Sequence, residues 1–150
     1  MKTRKIFIAL SAMFLGVVAL AQTTADSILG EYYLPDDKNG DSKVRFTKNG
    51  NGTYDCTIIW IKEPNDPKTG KPWLDSKNSD KSLRNRPLVG IKIVEGISYD
   101  KSAGLWSGAK IYDPNRGIKA NATIKLLGSG RLEVSGKIMG IGETQIWEKL

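Results

Sequence analysis

The chain has 150 residues, with 23 lysines and arginines against 16 acids, no histidine, one cysteine and 39% hydrophobic residues. The missing imidazole excludes histidine-dependent nucleophiles in their usual form and, with a single thiol, the common zinc sites. No internal disulfide can form, so stability has to come from a packed core, and any acid–base chemistry falls to carboxylates, lysines or tyrosines.

The chain opens MKTRK, then IFIALSAMFLGVVAL, then AQTT. A cationic run, an apolar run of about 15 residues and a small-residue boundary describe a secretory leader over residues 1–21, cut before Gln22. The apolar run is short of the roughly 20 residues a spanning helix needs, so no membrane span is expected after cleavage. An exported protein, periplasmic or extracellular, is expected, with residues 22–150 as one domain. Losing Lys2, Arg4 and Lys5 with the leader lowers the net charge from +7 to about +4, a mild bias that mostly serves solubility. No basic cluster alternates with aromatics, so nucleic acid is not an expected partner.

Residues 28–34 (ILGEYYL) form the first expected strand and residues 42–47 the second, with Val44 and Phe46 in step. KNGNG (48–52) is a hairpin signal, because Asn-Gly supplies the positive φ of a tight turn. The third strand is expected over residues 52–61. Alternation there puts Tyr54, Cys56, Ile58 and Trp60 on one face, with Cys56 as a small core residue. A polar segment follows over residues 62–87, holding four of the six prolines. Residues 79–84 suit one helical turn with Ser79 as its cap. Further strands are expected at 88–94, 97–99, 105–112, 118–127, 132–136 and 143–149. Eight or nine short strands joined by Gly/Asn/Asp turns, with no amphipathic helix of normal length, predict an all-β fold. Consecutive hairpins favour an up-and-down antiparallel β-barrel with one long loop.

NDPKTGK (65–71) ends like a phosphate loop. However, the first glycine of that pattern is absent and Pro72 stands where the magnesium-binding hydroxyl belongs. The segment has a twin instead. DPKTG (66–70) and DPNRG (113–117) share D-P-x-x-G, in which Asp accepts from its own backbone, Pro presets φ and Gly closes in the left-handed region. Asp37, Asn39 and Asp41 have the spacing of a calcium loop's start, but Ser42 and Lys48 occupy its glycine and closing-acid positions, so an exposed turn is expected. No metal or cofactor is expected.

Arg84 and Arg86, entering a strand beside Pro87, could grip an anion or could pin the long loop to Asp66, Asp75 or Asp80. Trp60, Trp106 and Trp147 are expected in the core. Trp73, in the polar segment, either caps the barrel or lines a mouth. A barrel of about eight strands can be filled by side chains or hold one small ligand.

WIKEPNDPKTGKPWLDSKN (60–78), LRNRPLVG (83–90), IYDPNRG (111–117) and GETQIWEKL (142–150) together resemble the bacterial domain-of-unknown-function family 2147. The resemblance implies an exported single domain of the lipocalin-like (calycin) class, with no assigned activity. Calycins often carry G-x-W on the first strand against a basic residue on the last. Gly30-Glu31-Tyr32 and Lys149 fill those positions, and the family usually has an aromatic where Ala120 stands. The expected function is a non-catalytic binding module in the cell envelope for a small amphiphilic or anionic ligand. Trp73 and Tyr112 would give apolar contact, Arg84 and Arg86 charge, and Asp113 a polar group at the site. Two alternatives remain: a filled barrel acting through its surface, and a hydrolase using Asp66, Asp75 or Asp113. The sequence leaves oligomeric state open.

Overall fold

The computed structural model describes residues 23–36, 39–138 and 140–150, so the expected leader lies outside the described residues. Eight strands run β1 (Gly30–Leu34), β2 (Ser42–Lys48), β3 (Tyr54–Ile61), β4 (Lys92–Asp100), β5 (Leu105–Asp113), β6 (Ile118–Leu127), β7 (Arg131–Ile138) and β8 (Ile141–Lys149). Each pairs antiparallel with the next, and β8 returns to β1 through Tyr32↔Lys149 and Tyr33↔Glu148. The expected up-and-down barrel is therefore closed.

The turn grammar holds at the expected places. Asn49 N–H donates to Thr53 O at 2.8 Å across the β2–β3 hairpin, with Gly52 at φ +84°. The D-P-x-x-G twins are built alike. Gly70 N–H donates to Asp66 O at 2.7 Å and Gly117 N–H to Asp113 O at 2.8 Å, while each Asp side chain accepts from the backbone two residues on.

Four local expectations are corrected. The first strand starts at Gly30 rather than Ile28, because residues 25–28 form a 3₁₀ turn, with Ser27 N–H on Thr24 O at 3.0 Å, that buries Ile28. Runs 88–94 and 97–99 are not two strands. A bulge with Gly96 at φ +71° joins most of both into β4, and Asp55 Oδ1 holds Gly96 N–H at 2.9 Å. Asp80, not Ser79, caps the short turn at Lys81–Leu83, its Oδ1 accepting from Ser82 N–H at 2.9 Å. Trp60 does not share the Tyr54 face. The register shifts between Lys43 and Val44, so Trp60 faces outward opposite Lys43, whose Nζ lies 4.8 Å from the ring centre.

The lower barrel is packed solid. Tyr32, Phe46, Tyr54, Cys56, Ile97, Trp106, Ile124, Leu132 and Trp147 are buried there, as expected for Cys56, Trp106 and Trp147. Trp106 Nε1–H donates to Ala25 O at 3.1 Å, tying the 3₁₀ turn to the floor. At the barrel seam Tyr32 stands opposite Lys149, and the Lys149 stem passes so near Gly30 that a Cβ there would lie 3.1 Å from its Cε. The first and last strands thus meet where the calycin resemblance places their contact, with a lysine stem over a glycine in place of arginine over an indole.

Candidate functional site

Strand alternation sorts the upper barrel into two faces. Ala109↔Ala122, Ile111↔Ala120 and Asp113↔Ile118 pair across β5–β6 and share the inward face. Ala122↔Gly136 continues it onto β7, and Gly136↔Glu143, Val134↔Gln145 and Leu132↔Trp147 continue it onto β8. A Cβ on Gly136 would meet Ala120 at 3.2 Å and Ile111 at 3.3 Å, so these three close on one another inside the wall. Above the aromatic floor the inward positions of β5–β8 thus mix branched aliphatics (Ile111, Ile118, Val134) with small (Ala109, Ala120, Ala122, Gly136) and polar (Gln145, Glu143) residues. Ala120 stands where the resemblance anticipates an aromatic, and it lies against Gly136.

A charged bar lies over this mouth. Arg116, in the β5–β6 turn, donates from Nε to Asp113 Oδ2 at 2.7 Å and from both terminal nitrogens to Glu143 at 3.2 and 3.1 Å. Asp113's carboxylate, in the first place, holds the guanidinium still more firmly protonated. All three side chains are partly or largely exposed, so these bonds contribute on the order of 1 kcal/mol or less each and are free to exchange for a ligand. Ile138 and Ile141, the pair closing the β7–β8 hairpin, stand exposed on the same inward phase.

Of the sequence-derived candidates, Asp113 lies at this mouth. Tyr112 faces the other way. It pairs with exposed Lys119 on the outer wall, yet it is only 6% exposed because the long loop, residues 62–91, packs over it. That loop is a strap with its own bridges, Asn65↔Pro72 and Leu74↔Pro87. Its centre is Asp75, fully buried. Asp75 accepts from Tyr112 OH at 2.5 Å, Asn78 Nδ2 at 2.7 Å and Arg86 Nε at 2.9 Å. Arg84 Nε donates to Asn78 O at 2.7 Å. Both arginines thus bond within the strap, and Trp73 stands 41% exposed on it. The structure brings Arg86 and Tyr112 together on one carboxylate. It keeps them on the outer wall, apart from the inward face that carries Asp113.

The carboxylates of Asp66, Asp75 and Asp113 all accept bonds from turn or strap groups. Among the described residues, no three His, Cys, Asp or Glu side chains gather as metal ligands. Asp41, in the calcium-like spacing, accepts from Tyr33 OH and from Asp36 N–H, while Asp37 lies outside the described residues. Glu143 and Gln145 were missed at the sequence level although their signal was present. In GETQIW they fall in phase with Trp147, so two polar residues share the face of a core indole.

Burial pushes the phenols of Tyr32, Tyr54 and Tyr112 up to about 12, with carboxylate acceptors adding to the shift at Tyr54 (Asp26) and Tyr112 (Asp75). An unfolded tyrosine loses its proton near pH 10. Stability from these three groups is therefore fully present below that pH, and it is lost as pH rises from about 10 towards 12. Urea midpoints should hold steady up to pH 10 and then fall, less steeply in Tyr112→Phe. A midpoint flat to pH 12 would contradict the burial account.

The sequence profile described as "Uncharacterized protein conserved in bacteria (DUF2147)" matches residues 30–149. No curated protein matches the chain. A solved structure from the human pathogen Helicobacter pylori, described as belonging to the lipocalin family, superposes with a TM-score of 0.67 at 23% identity, covering 82% of each chain. That likeness concerns the fold. The barrel is lipocalin-like, and the chain belongs to the DUF2147 family of uncharacterized bacterial proteins.

Proposed function

We propose that this protein is a non-catalytic binding module of the cell envelope, taking a small amphiphilic or anionic ligand at the barrel mouth. The observation that carries the reading is the change of lining along the inward face. Large aromatics fill the floor, and above them the small inward residues Ala109, Ala120, Ala122 and Gly136 stand among Ile111, Ile118 and Val134 beneath the Asp113–Arg116–Glu143 bar. An apolar tail would rest on Ile111, Ile118, Ile138 and Ile141, and an acidic head would displace Glu143 from Arg116. Arg116's fork suits a carboxylate or phosphate bidentately. The Asp75–Tyr112–Arg86 cluster then acts as scaffold, holding the strap beside the mouth. Export rests on the leader-like residues 1–21.

The test is titration with a fluorescent anionic amphiphile, anilinonaphthalene sulfonate. One saturable site is expected, weakened by about tenfold in Arg116→Ala, the loss of one charged contact. Ala120→Trp, which fills the mouth, should abolish it. Affinity unchanged in both variants would place the probe elsewhere and end this reading.

A further inference from the structure

Half of the large hydrophobic side chains exposed among the described residues sit on one segment. Trp73, Leu74, Leu83 and Val89 are 41%, 40%, 36% and 42% exposed, all on the strap. The segment's local structure explains how they stay outside. Leu74 and Pro87 are opposite one another in an antiparallel bridge, and Val89 is two residues on, so alternation puts Leu74, Pro87 and Val89 on one side. Leu88, between them, packs against the core instead. Leu88 N–H donates to Trp73 O at 3.0 Å, which ties the Trp73 backbone into the same bridge. The Asp75 cluster holds the strap from beneath, so the apolar row is presented by ordered backbone and needs little further ordering to bind.

The strap carries a net positive charge. Residues 62–91 carry seven lysines and arginines against four acids, and one of those acids, Asp75, is buried on Arg86. Lys68, Lys71, Lys77 and Lys81 are exposed. No helix among the described residues is long and apolar enough to cross a membrane. An exposed apolar row with tryptophan at its edge and lysines around it has the composition of a peripheral membrane contact, in which apolar groups enter the headgroup layer and cations meet phosphates.

We propose that the strap is a docking surface for an anionic phospholipid membrane, with Trp73, Leu74, Leu83 and Val89 entering the interface and Lys68, Lys71 and Lys81 facing the phosphates. Charge decides against a second copy of the chain as the occupant. Two straps face to face would oppose positive with positive, whereas an anionic leaflet complements them. The proposal does not depend on a ligand in the barrel.

The experiment is co-sedimentation of the purified chain with vesicles of phosphatidylcholine alone and of phosphatidylcholine mixed with phosphatidylglycerol. Binding to the mixed vesicles only, reversed by salt, is expected. Trp73→Ala with Leu74→Ser should weaken it by about tenfold or more, since each removes a partly buried apolar contact. Charge reversal at Lys68, Lys71 and Lys81 should weaken it similarly, while Lys125→Glu on β6 should not. Circular dichroism and urea midpoints confirm that the variants fold. No binding by the wild-type chain, or binding indifferent to the strap variants, would overturn the proposal. So would strap-dependent self-association without vesicle binding, which would make the surface a dimer contact.

Discussion

Asp75→Ala is expected to cost about 3–5 kcal/mol of stability, the order expected when two buried donors lose their acceptor and a part-exposed arginine its counter-charge. The size follows from what the carboxylate leaves behind. Tyr112 OH and Asn78 Nδ2 lose their acceptor in surroundings where their residues are nearly inaccessible, and Arg86 loses its counter-charge. Each unsatisfied buried polar group alone costs about 1–3 kcal/mol. Asp75→Asn keeps shape and one acceptor, and should lose about half as much. Urea unfolding checks both. Midpoints shifted by less than those of an ordinary surface substitution would mean that the strap is not held from this residue. Because the cluster lies on the outer wall, anilinonaphthalene sulfonate binding at the mouth should survive in Asp75→Asn.

Gly117→Ala should be far more damaging than Gly70→Ala, although the two glycines close the same five-residue motif at φ +68° and +67°. An alanine in that left-handed conformation costs roughly 1–2 kcal/mol on backbone grounds, and this is the whole expectation at Gly70, where an added Cβ meets nothing within 4 Å. At Gly117 the same Cβ would lie 1.9 Å from Lys77 O and 2.7 Å from its carbonyl carbon. No backbone yields by that amount cheaply. Either the β5–β6 turn moves, breaking the Asp113–Arg116–Glu143 bar, or the strap lifts and Lys77 Nζ leaves Asn115 O, 2.7 Å away. A loss of about 3 kcal/mol or more is expected. Comparing urea midpoints of the two alanine variants isolates the contact, because the conformational cost is common to both. Equal losses would show that the strap does not press on the turn in solution.

The twin motifs show how far local chemistry can be read. Aspartate, proline and glycine at those offsets specify a turn wherever they occur, and both copies adopt it. Nothing in either five-residue string says that one abuts another segment and the other does not. That contact pairs residue 117 with residue 77, and long-range placement is set by how the barrel closes. The arginines repeat the lesson. Arg84 and Arg86 beside Pro87 read as loop pins or, less readily, as an anion clamp, and the strap decides what they bond to: Arg86 the buried Asp75 carboxylate, Arg84 the Asn78 carbonyl. Tyr112 is subtler. Its neighbours in IYDPNRG place it on a strand, but only the pairing of β5 with β6 shows that it faces away from the interior, and only the strap explains why an outward tyrosine is buried.

The sequence by itself determined the strand number to within one, most of the turns, and the burial of Cys56, Trp106 and Trp147. These are local or compositional properties, governed by alternation, φ preferences and residue inventory. The tertiary structure decided the rest. A register shift turned Trp60 outward, a glycine bulge joined most of two predicted strands into β4, and cross-strand pairing set Glu143 and Gln145 on the inward face below the Arg116 bar. Each depends on which residue stands opposite which. In a barrel, displacing a strand by one residue exchanges its inner and outer faces, so the lining of the mouth is a property of the closed sheet.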